Sequence, residues 1–341
     1  MPGSEPTKIG LWWKALRYHF ISPSIFPATL GAAVALAVYH TFYPFYFLLV
    51  LIGVVINHMA LNMADDYFDY EHAVDKLRPE EKNPYSGGSG TLAWGLIRPS
   101  AMLKASVICF SATVAIGLYL TVARGLPVLL FGLVGVFCSV FYAAPPISFS
   151  HHGLGELGQL VNFGTTIGLG SYFVQTQELS IQAFVATLPL GTMLFSMIIV
   201  NEIPDCREDR LAGKLTLVAK YGKRAGVRMY FASWACTYIV ITLGVLSRVL
   251  PPTALLAFAS LPLVLRSMQT LRENYEDSAR LAPANLDMIR AHGVTSLGLI
   301  AAYSIQGVAS HASIAQLLLL LLLLTIFYAP AMLALRKPQE T

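Results

Sequence analysis

The 341-residue sequence carries few charged side chains. Asp, Glu, Lys and Arg make up 12% of it, about half of the roughly 25% that is usual in soluble domains. A soluble protein needs charged groups where its surface meets water, so this shortage excludes an ordinary soluble domain. Hydrophobic residues account for 55% of the chain, and its mean hydropathy is +0.61. We therefore expect an integral membrane protein.

Cysteine is also scarce. The four cysteines, Cys109, Cys138, Cys206 and Cys236, are scattered, and no two of them form a CxxC pair. This spacing argues against a disulfide framework and against a zinc site. Residues 1–10 are polar, and the first hydrophobic stretch is as long as the later ones. We interpret that stretch as a retained membrane span, not a cleaved signal.

Long apolar segments recur along the whole chain. Because a helix needs roughly 20 apolar residues to cross a bilayer, hydropathy predicts about ten spans. They are predicted at residues 20–39, 42–64, 103–122, 127–143, 156–173, 183–203, 229–246, 252–267, 293–309 and 313–335. The expected fold is therefore all-α, a polytopic transmembrane helical bundle of nine to ten spans.

The positions of the basic residues predict the orientation of the bundle. Lys and Arg concentrate in the cytoplasmic loops of membrane proteins. With ten spans and a cytoplasmic N-terminus, the outside loops contain only Arg124 and Arg248, and all other basic residues fall inside. We expect the protein in the cytoplasmic (cell) membrane.

Two long loops, at residues 65–102 and 204–228, both face the cytoplasm in this topology. They follow the second and the sixth span, so the same feature recurs after four spans. We interpret residues 1–341 as a single transmembrane domain with two related halves, roughly 20–150 and 151–310. The segment 313–335 would then be an additional span.

The first loop begins with a cluster of acids and an amide. On a helix, Asn62, Asp66 and Asp69 would share one face, because they are spaced four and three residues apart. Carboxylates this close repel each other unless a cation lies among them. Oxygen ligands at this density suit Mg²⁺, which often binds one or two carboxylates together with substrate phosphates. The alternative is a solvated helix end with scattered acids.

The second loop repeats the pattern. Asn201, Asp205 and Asp209 are spaced four residues apart and also align on one helix face. Arg207 and Lys214 lie beside them and could bind phosphate oxygens. A mixture of acids and bases is typical of a site for a metal–diphosphate, although a charged, water-exposed loop remains the alternative. His72, about one turn from Asp69, is a candidate for handling protons.

These motifs resemble the UbiA family of intramembrane prenyltransferases, and the resemblance covers nearly the whole chain. The residues that carry it are Asn62, Asp66, Asp69 and Asp75; Tyr142, Pro145-Pro146 and Gly153 to Glu156; and Asn201, Asp205, Asp209, Gly213-Lys214 and Thr216-Leu217. The pattern is most similar to the 1,4-dihydroxy-2-naphthoate polyprenyltransferases of menaquinone synthesis. It departs from the family in having Asp65 where an Asn is common. Family members also typically have nine spans.

The resemblance implies a bundle whose central cavity opens sideways to lipid and is capped by cytoplasmic loops. It also implies the site residues. Asp66, Asp69, Asp205 and Asp209 would be catalytic and, with Asn62 and Asn201, would hold two Mg²⁺ ions. Lys76, Arg78, Arg207 and Lys214 would bind the diphosphate, with Asp75, Tyr67, Tyr142 and His72 in supporting roles.

The implied reaction is the transfer of a polyprenyl group from its diphosphate through an allylic carbocation. The expected partners are a polyprenyl diphosphate, a small aromatic acceptor and the lipid bilayer, without nucleic acid. Three other acceptors remain open: geranylgeranylglyceryl phosphate, 4-hydroxybenzoate and homogentisate. A divalent-cation transporter is the alternative of another class. Transporters place their ligands near the bilayer midplane, whereas the acids here lie at one edge.

Overall fold

The helices of the bundle are resolved in a computed structural model that describes residues 7–72, 83 and 85–336. In the described chain the α-helices are α1 (Lys8–Leu16), α2 (Ser22–Tyr39), α3 (Pro44–Glu71), α4 (Pro99–Arg124), α5 (Pro127–Val140), α6 (Gly155–Leu160), α7 (Ile167–Thr176), α8 (Ile181–Leu211), α9 (Leu217–Tyr221), α10 (Lys223–Leu246), α11 (Leu261–Asn274), α12 (Ala282–Ala309) and α13 (Ile314–Arg336). A π-helical segment, Val161–Thr166, joins α6 to α7. A 3-10 helix, Pro252–Ser260, leads into α11.

Each of the ten predicted spans falls on helical structure, which confirms the all-α membrane bundle. Within the described residues, seven helices are long and apolar enough to cross a bilayer: α2, α3, α4, α8, α10, the joined segment Pro252–Asn274, and α13. The other predicted spans coincide with α5, with the α6–α7 segment and with α12. The count of nine or ten spans stays a prediction, as does the division into two related halves.

Helix α2 lies at the centre of the bundle. Its side chains from Ser22 to Ala37 are all buried, and α7, α12 and α13 pack around it. Small residues allow this close packing, because helices approach most closely where side chains are short. A Cβ at Gly31 would lie 2.1 Å from the carbonyl oxygen of Gly168 on α7. The peripheral helix α4 instead leaves most of its apolar side chains exposed or partly exposed, as expected beside lipid.

Two of the spanning helices continue past the predicted ends of their spans. Helix α3 runs to Glu71 and α8 to Leu211, so both acidic motifs lie on helices. Helix α1 packs beside the end of α3 through a small apolar cluster that includes Ala15, Met63 and Met102. The helix extensions therefore carry the carboxylates of both motifs to the same end of the bundle.

Candidate active site

Residues of both acidic motifs line one cavity of about 160 Å³, although Asp66 of the first motif is not among its lining residues. The acids that line it are Asp65, Asp69, Glu202, Asp205 and Asp209, and the bases are Arg17 and Lys214. Asn62 and Asn201 also line it. Below these polar groups, the wall is formed by apolar side chains such as Phe163, Leu194 and Met197. The cavity therefore combines a strongly charged end with an apolar end.

Lys214 connects the two motifs. Its Nζ lies 2.8 Å from Oδ2 and 3.0 Å from Oδ1 of Asp69, and 3.8 Å from Oδ1 of Asp65. Its backbone N–H donates to the carbonyl oxygen of Asp209. Burial alone would lower the pKa of Lys214, but the carboxylates of Asp69, Asp65 and Asp209 outweigh that effect and hold the pKa well above its usual value. Lys214 is therefore a buried, charged lysine.

The glycine-rich loop at residues 85–91 places two serines in hydrogen bonds with acids of the two motifs. The backbone N–H of Ser89 donates to both carboxylate oxygens of Asp66, at 3.1 and 3.2 Å. The hydroxyl of Ser86 donates to Oδ1 of Asp205 at 3.3 Å, and Gly87 lines the cavity between them. The loop thus covers the charged end of the cavity, and charge-assisted hydrogen bonds fix both carboxylates.

Both predicted asparagine ligands are held by hydrogen bonds. Nδ2 of Asn62 donates to the carbonyl oxygen of Leu16 at 3.1 Å. Oδ1 of Asn201 accepts from Asn285 at 2.7 Å, and Asn285 accepts from Asn83 at 2.8 Å. The hydrogen bond from Asn285 uses one lone pair of the Asn201 amide oxygen and fixes its direction, and the second lone pair remains for a metal ion.

Sequence reasoning missed several residues of the site. Arg17, at the end of α1, places Nη1 3.8 Å from Oδ2 of Asp65. His151 lies 4.0 Å from Oδ1 of Asp69. Burial and the Lys214 ammonium lower the pKa of His151 to about 4, so its imidazole is neutral at pH 7. Glu202, which follows Asn201 directly in the sequence, also lines the cavity.

Some predicted residues lie elsewhere. Arg207 is exposed and lines a separate surface pocket with Arg210 and Lys223, so the structure gives no support to its predicted diphosphate role. Tyr67 packs against the cluster beside α1, whereas Tyr142 does line the cavity. His72 is exposed and its ring lies 4.9 Å from that of His151. Lys76, Arg78 and Asp75 lie outside the described residues.

The cavity fits a divalent cation that arrives with a phosphate group. Within the described residues, no three His, Cys, Asp or Glu side chains are already gathered around a point that could hold a metal ion. Mg²⁺ does not need such a cage, because it usually retains waters and binds one or two carboxylates plus substrate phosphates. Glu202 is buried and its carboxyl group pairs with that of Glu156, so the charge balance of the cavity depends on its aspartates. Four aspartates against two bases leave room for more positive charge.

Comparison with known proteins identifies the family. The UbiA prenyltransferase family matches residues 24–289. A 1,4-dihydroxy-2-naphthoate octaprenyltransferase of Bacillus subtilis is 24% identical over 77% of this chain and 82% of its own length. A 2-carboxy-1,4-naphthoquinone phytyltransferase of Synechocystis is 22% identical over 90% of this chain and 97% of its own.

A solved structure shares the fold. It is a UbiA homologue from Archaeoglobus fulgidus bound to GPP and Mg²⁺, which superposes with a TM-score of 0.60 at 14% identity, covering 87% of this chain and 99% of the other. The family match confirms the resemblance carried by the two acidic motifs. The chain belongs to the UbiA prenyltransferase family and is an integral membrane enzyme that transfers prenyl groups.

Proposed function

We propose that this UbiA-family enzyme transfers a polyprenyl group from its diphosphate to an aromatic ring, and that 1,4-dihydroxy-2-naphthoate is the acceptor. The observation that carries the proposal is the single cavity where both acidic motifs and Lys214 meet above an apolar wall. The two relatives are named for transfer to a bicyclic, naphthalene-type ring, which favours this acceptor. The active site would face the cytoplasm, in the cell membrane.

The residues at the charged end suit a diphosphate. Asp66, Asp69, Asp205 and Asp209 would hold Mg²⁺, and the solved structure with the same fold that contains GPP and Mg²⁺ supports this use of the metal. We expect two ions. Mg²⁺ would neutralise the negative charge that develops on the leaving diphosphate. Lys214 would turn from Asp69 towards a phosphate oxygen and donate to it, since its ammonium is charged, buried and already at the cavity wall.

The apolar end suits the prenyl chain and the cation it forms. Phe163, Leu194 and Met197 exclude water from the region beneath the carboxylates, which prevents hydrolysis of a reactive carbocation. The ring of Tyr142 lines the same cavity and could stabilise positive charge through its face. Attack by an electron-rich ring carbon would then form the new C–C bond, and the ring would lose a proton or its carboxyl group.

Turnover of the purified full chain tests the proposal. The assay contains Mg²⁺, labelled geranylgeranyl diphosphate and one of four acceptors: 1,4-dihydroxy-2-naphthoate, 4-hydroxybenzoate, homogentisate or geranylgeranylglyceryl phosphate. We expect product on the naphthoate that disappears with EDTA and returns with added Mg²⁺. Product on another acceptor alone would refute the acceptor and keep the reaction. Absence of product with every acceptor and several donor lengths would favour the transporter alternative, which flux of Mg²⁺ into proteoliposomes would then test.

A further inference from the structure

A second cavity lies apart from the charged one, deeper in the membrane-spanning region. It measures about 200 Å³ and is lined by α3, α4, α5 and the segment from Asn162 to α7. Its lining is almost wholly apolar. Val114, Leu118 and Leu133 line it and are also exposed on the outside of the bundle. Exposed apolar side chains on spanning helices face lipid, so this cavity communicates with the bilayer.

Glycines create much of this space. A Cβ added at Gly117 or Gly132 would meet no described atom within 4 Å. A Cβ at Gly135 would lie 3.5 Å from Oδ1 of Asn162, in van der Waals contact with it. Alanine or leucine at these positions would favour the helix more than glycine does, but the added side chain would take up space in the cavity.

The end of the cavity nearest the charged site is polar. Nδ2 of Asn57 donates to Oγ of Ser139 at 2.7 Å, and Nδ2 of Asn162 donates to the same hydroxyl at 3.3 Å. The amide oxygens of Asn57 and Asn162 are buried and have no hydrogen-bond partner in the described chain. Both asparagines are more than nine-tenths buried. Two unpaired acceptors at the end of an apolar cavity are costly unless a ligand supplies donors.

Residues that are adjacent in the sequence line the two different cavities. His58 and Phe163 line the charged cavity, and their neighbours Asn57 and Asn162 line the apolar one. From Leu49 to Asn57, α3 runs along the apolar cavity for about 12 Å at 1.5 Å per residue. The space is therefore long enough for a fused aromatic ring and lies next to the place where the proposed product would form.

We propose that this cavity binds a membrane-soluble phenol or quinol. Its ring would lie among the apolar side chains, and its hydroxyl groups would donate to the amide oxygens of Asn57 and Asn162. A lipid tail or a prenyl chain could fill the cavity, but it would leave both oxygens unpaired. The identification of the ligand rests on the proposed function, because a prenylated dihydroxy aromatic product belongs to this chemical class.

Binding of a small probe to the full chain in lipid nanodiscs tests the proposal. The probes are 2-methyl-1,4-naphthalenediol, kept reduced, and its 1,4-dimethyl ether, which has the same ring but no donors. Gly117→Leu and Gly132→Leu fill the cavity, and Asn57→Leu removes one acceptor at similar volume. Gly158→Leu is the matched control, because a Cβ there meets no described atom within 4 Å and Gly158 does not appear among the lining residues of either cavity.

We expect the unmodified chain and Gly158→Leu to bind the diol about tenfold more tightly than the ether. The reason is that the ether has no hydroxyl groups to donate to the two unpaired amide oxygens. Binding of the diol should disappear in Gly117→Leu and Gly132→Leu. In Asn57→Leu it should weaken by about threefold, since one of the two hydrogen bonds remains. Equal binding of diol and ether, or full binding in both filled variants, would overturn the proposal. Prenyl transfer is measured in the same samples. Since diol binding requires no turnover, a failure of the binding proposal can be distinguished from a failure of the proposed prenyl transfer.

Discussion

Replacing Lys214 by methionine should destabilise the protein when Mg²⁺ and diphosphate are absent. Methionine keeps the length of the side chain but removes the ammonium that lies 2.8 Å from Asp69 and 3.8 Å from Asp65. Removing one partner of a buried ion pair typically costs about 3–5 kcal/mol, because the other charge stays buried without compensation. The loss should lie near the upper end of that range, since Lys214 faces carboxylates of both motifs.

The free energy of unfolding is measured in detergent with EDTA, for Lys214→Met, Asp69→Asn and the double variant. Because the double variant removes both charges, its loss should be smaller than the sum of the two single losses. Lys220→Met is the matched control, since this exposed lysine in the same segment donates to the carbonyl oxygen of His152. Excess Mg²⁺ should restore part of the stability of Lys214→Met by binding the folded state.

The pH range of the measurement follows from the sign of the pKa shift. The pKa of Lys214 is raised above 10.5 in the folded protein, so its contribution is fully present below 10.5 and is lost as the pH rises through the folded pKa. Measurements at pH 7 to 8 therefore record the whole effect. A Lys214→Met protein that unfolds within about 0.5 kcal/mol of Lys220→Met, the range of ordinary surface substitutions, would refute the buried ion pair.

Three further predictions follow from the site and the packing. Asp205→Asn should lower turnover by about a hundredfold or more, as expected when charge stabilisation in the transition state is lost. The exposed Asp277→Asn should keep the turnover of the unmodified chain. Equal turnover in the two variants would show that Asp205 has no part in the site. The pKa of His151 is about 4 in the folded protein against 6.5, so the stability that its neutral form contributes is present above pH 6.5 and lost as the pH falls to 4. His151→Gln should therefore reduce the slope of melting temperature against pH between 6.5 and 4 in metal-free buffer, and an unchanged slope would contradict the assignment. Gly31→Leu should prevent folding or cost several kcal/mol, because its Cβ alone would overlap the Gly168 carbonyl, while Gly158→Leu should melt near the parent temperature.

Hydropathy and periodicity predicted much of this protein, because both are local properties of the chain. Every predicted span lies on a helix, and the acidic motifs picked out by their spacing lie on α3 and α8. The catalytic roles of Asp66, Asp69, Asp205 and Asp209 stay predictions. Arg17 and Asn285 could not be found in this way. Arg17 reaches the site through the packing of α1 beside α3, and Asn285 contacts Asn201 from 84 residues away. Such partners depend on how helices meet, which no local pattern records.

Helix geometry alone should have argued against the predicted diphosphate role of Arg207. Helical residues turn by about 100° each, so Arg207 points about 200° away from Asp205, while Asp209 returns close to the direction of Asp205. If the motif is helical, as the alignment of its acids requires, Arg207 must face away from the cavity, and the structure places it in a different pocket. Lys214 lies beyond the end of α8, where the chain turns back. The same helix geometry that aligns the acids therefore excludes Arg207 and makes Lys214 the basic residue of this motif that reaches the cavity.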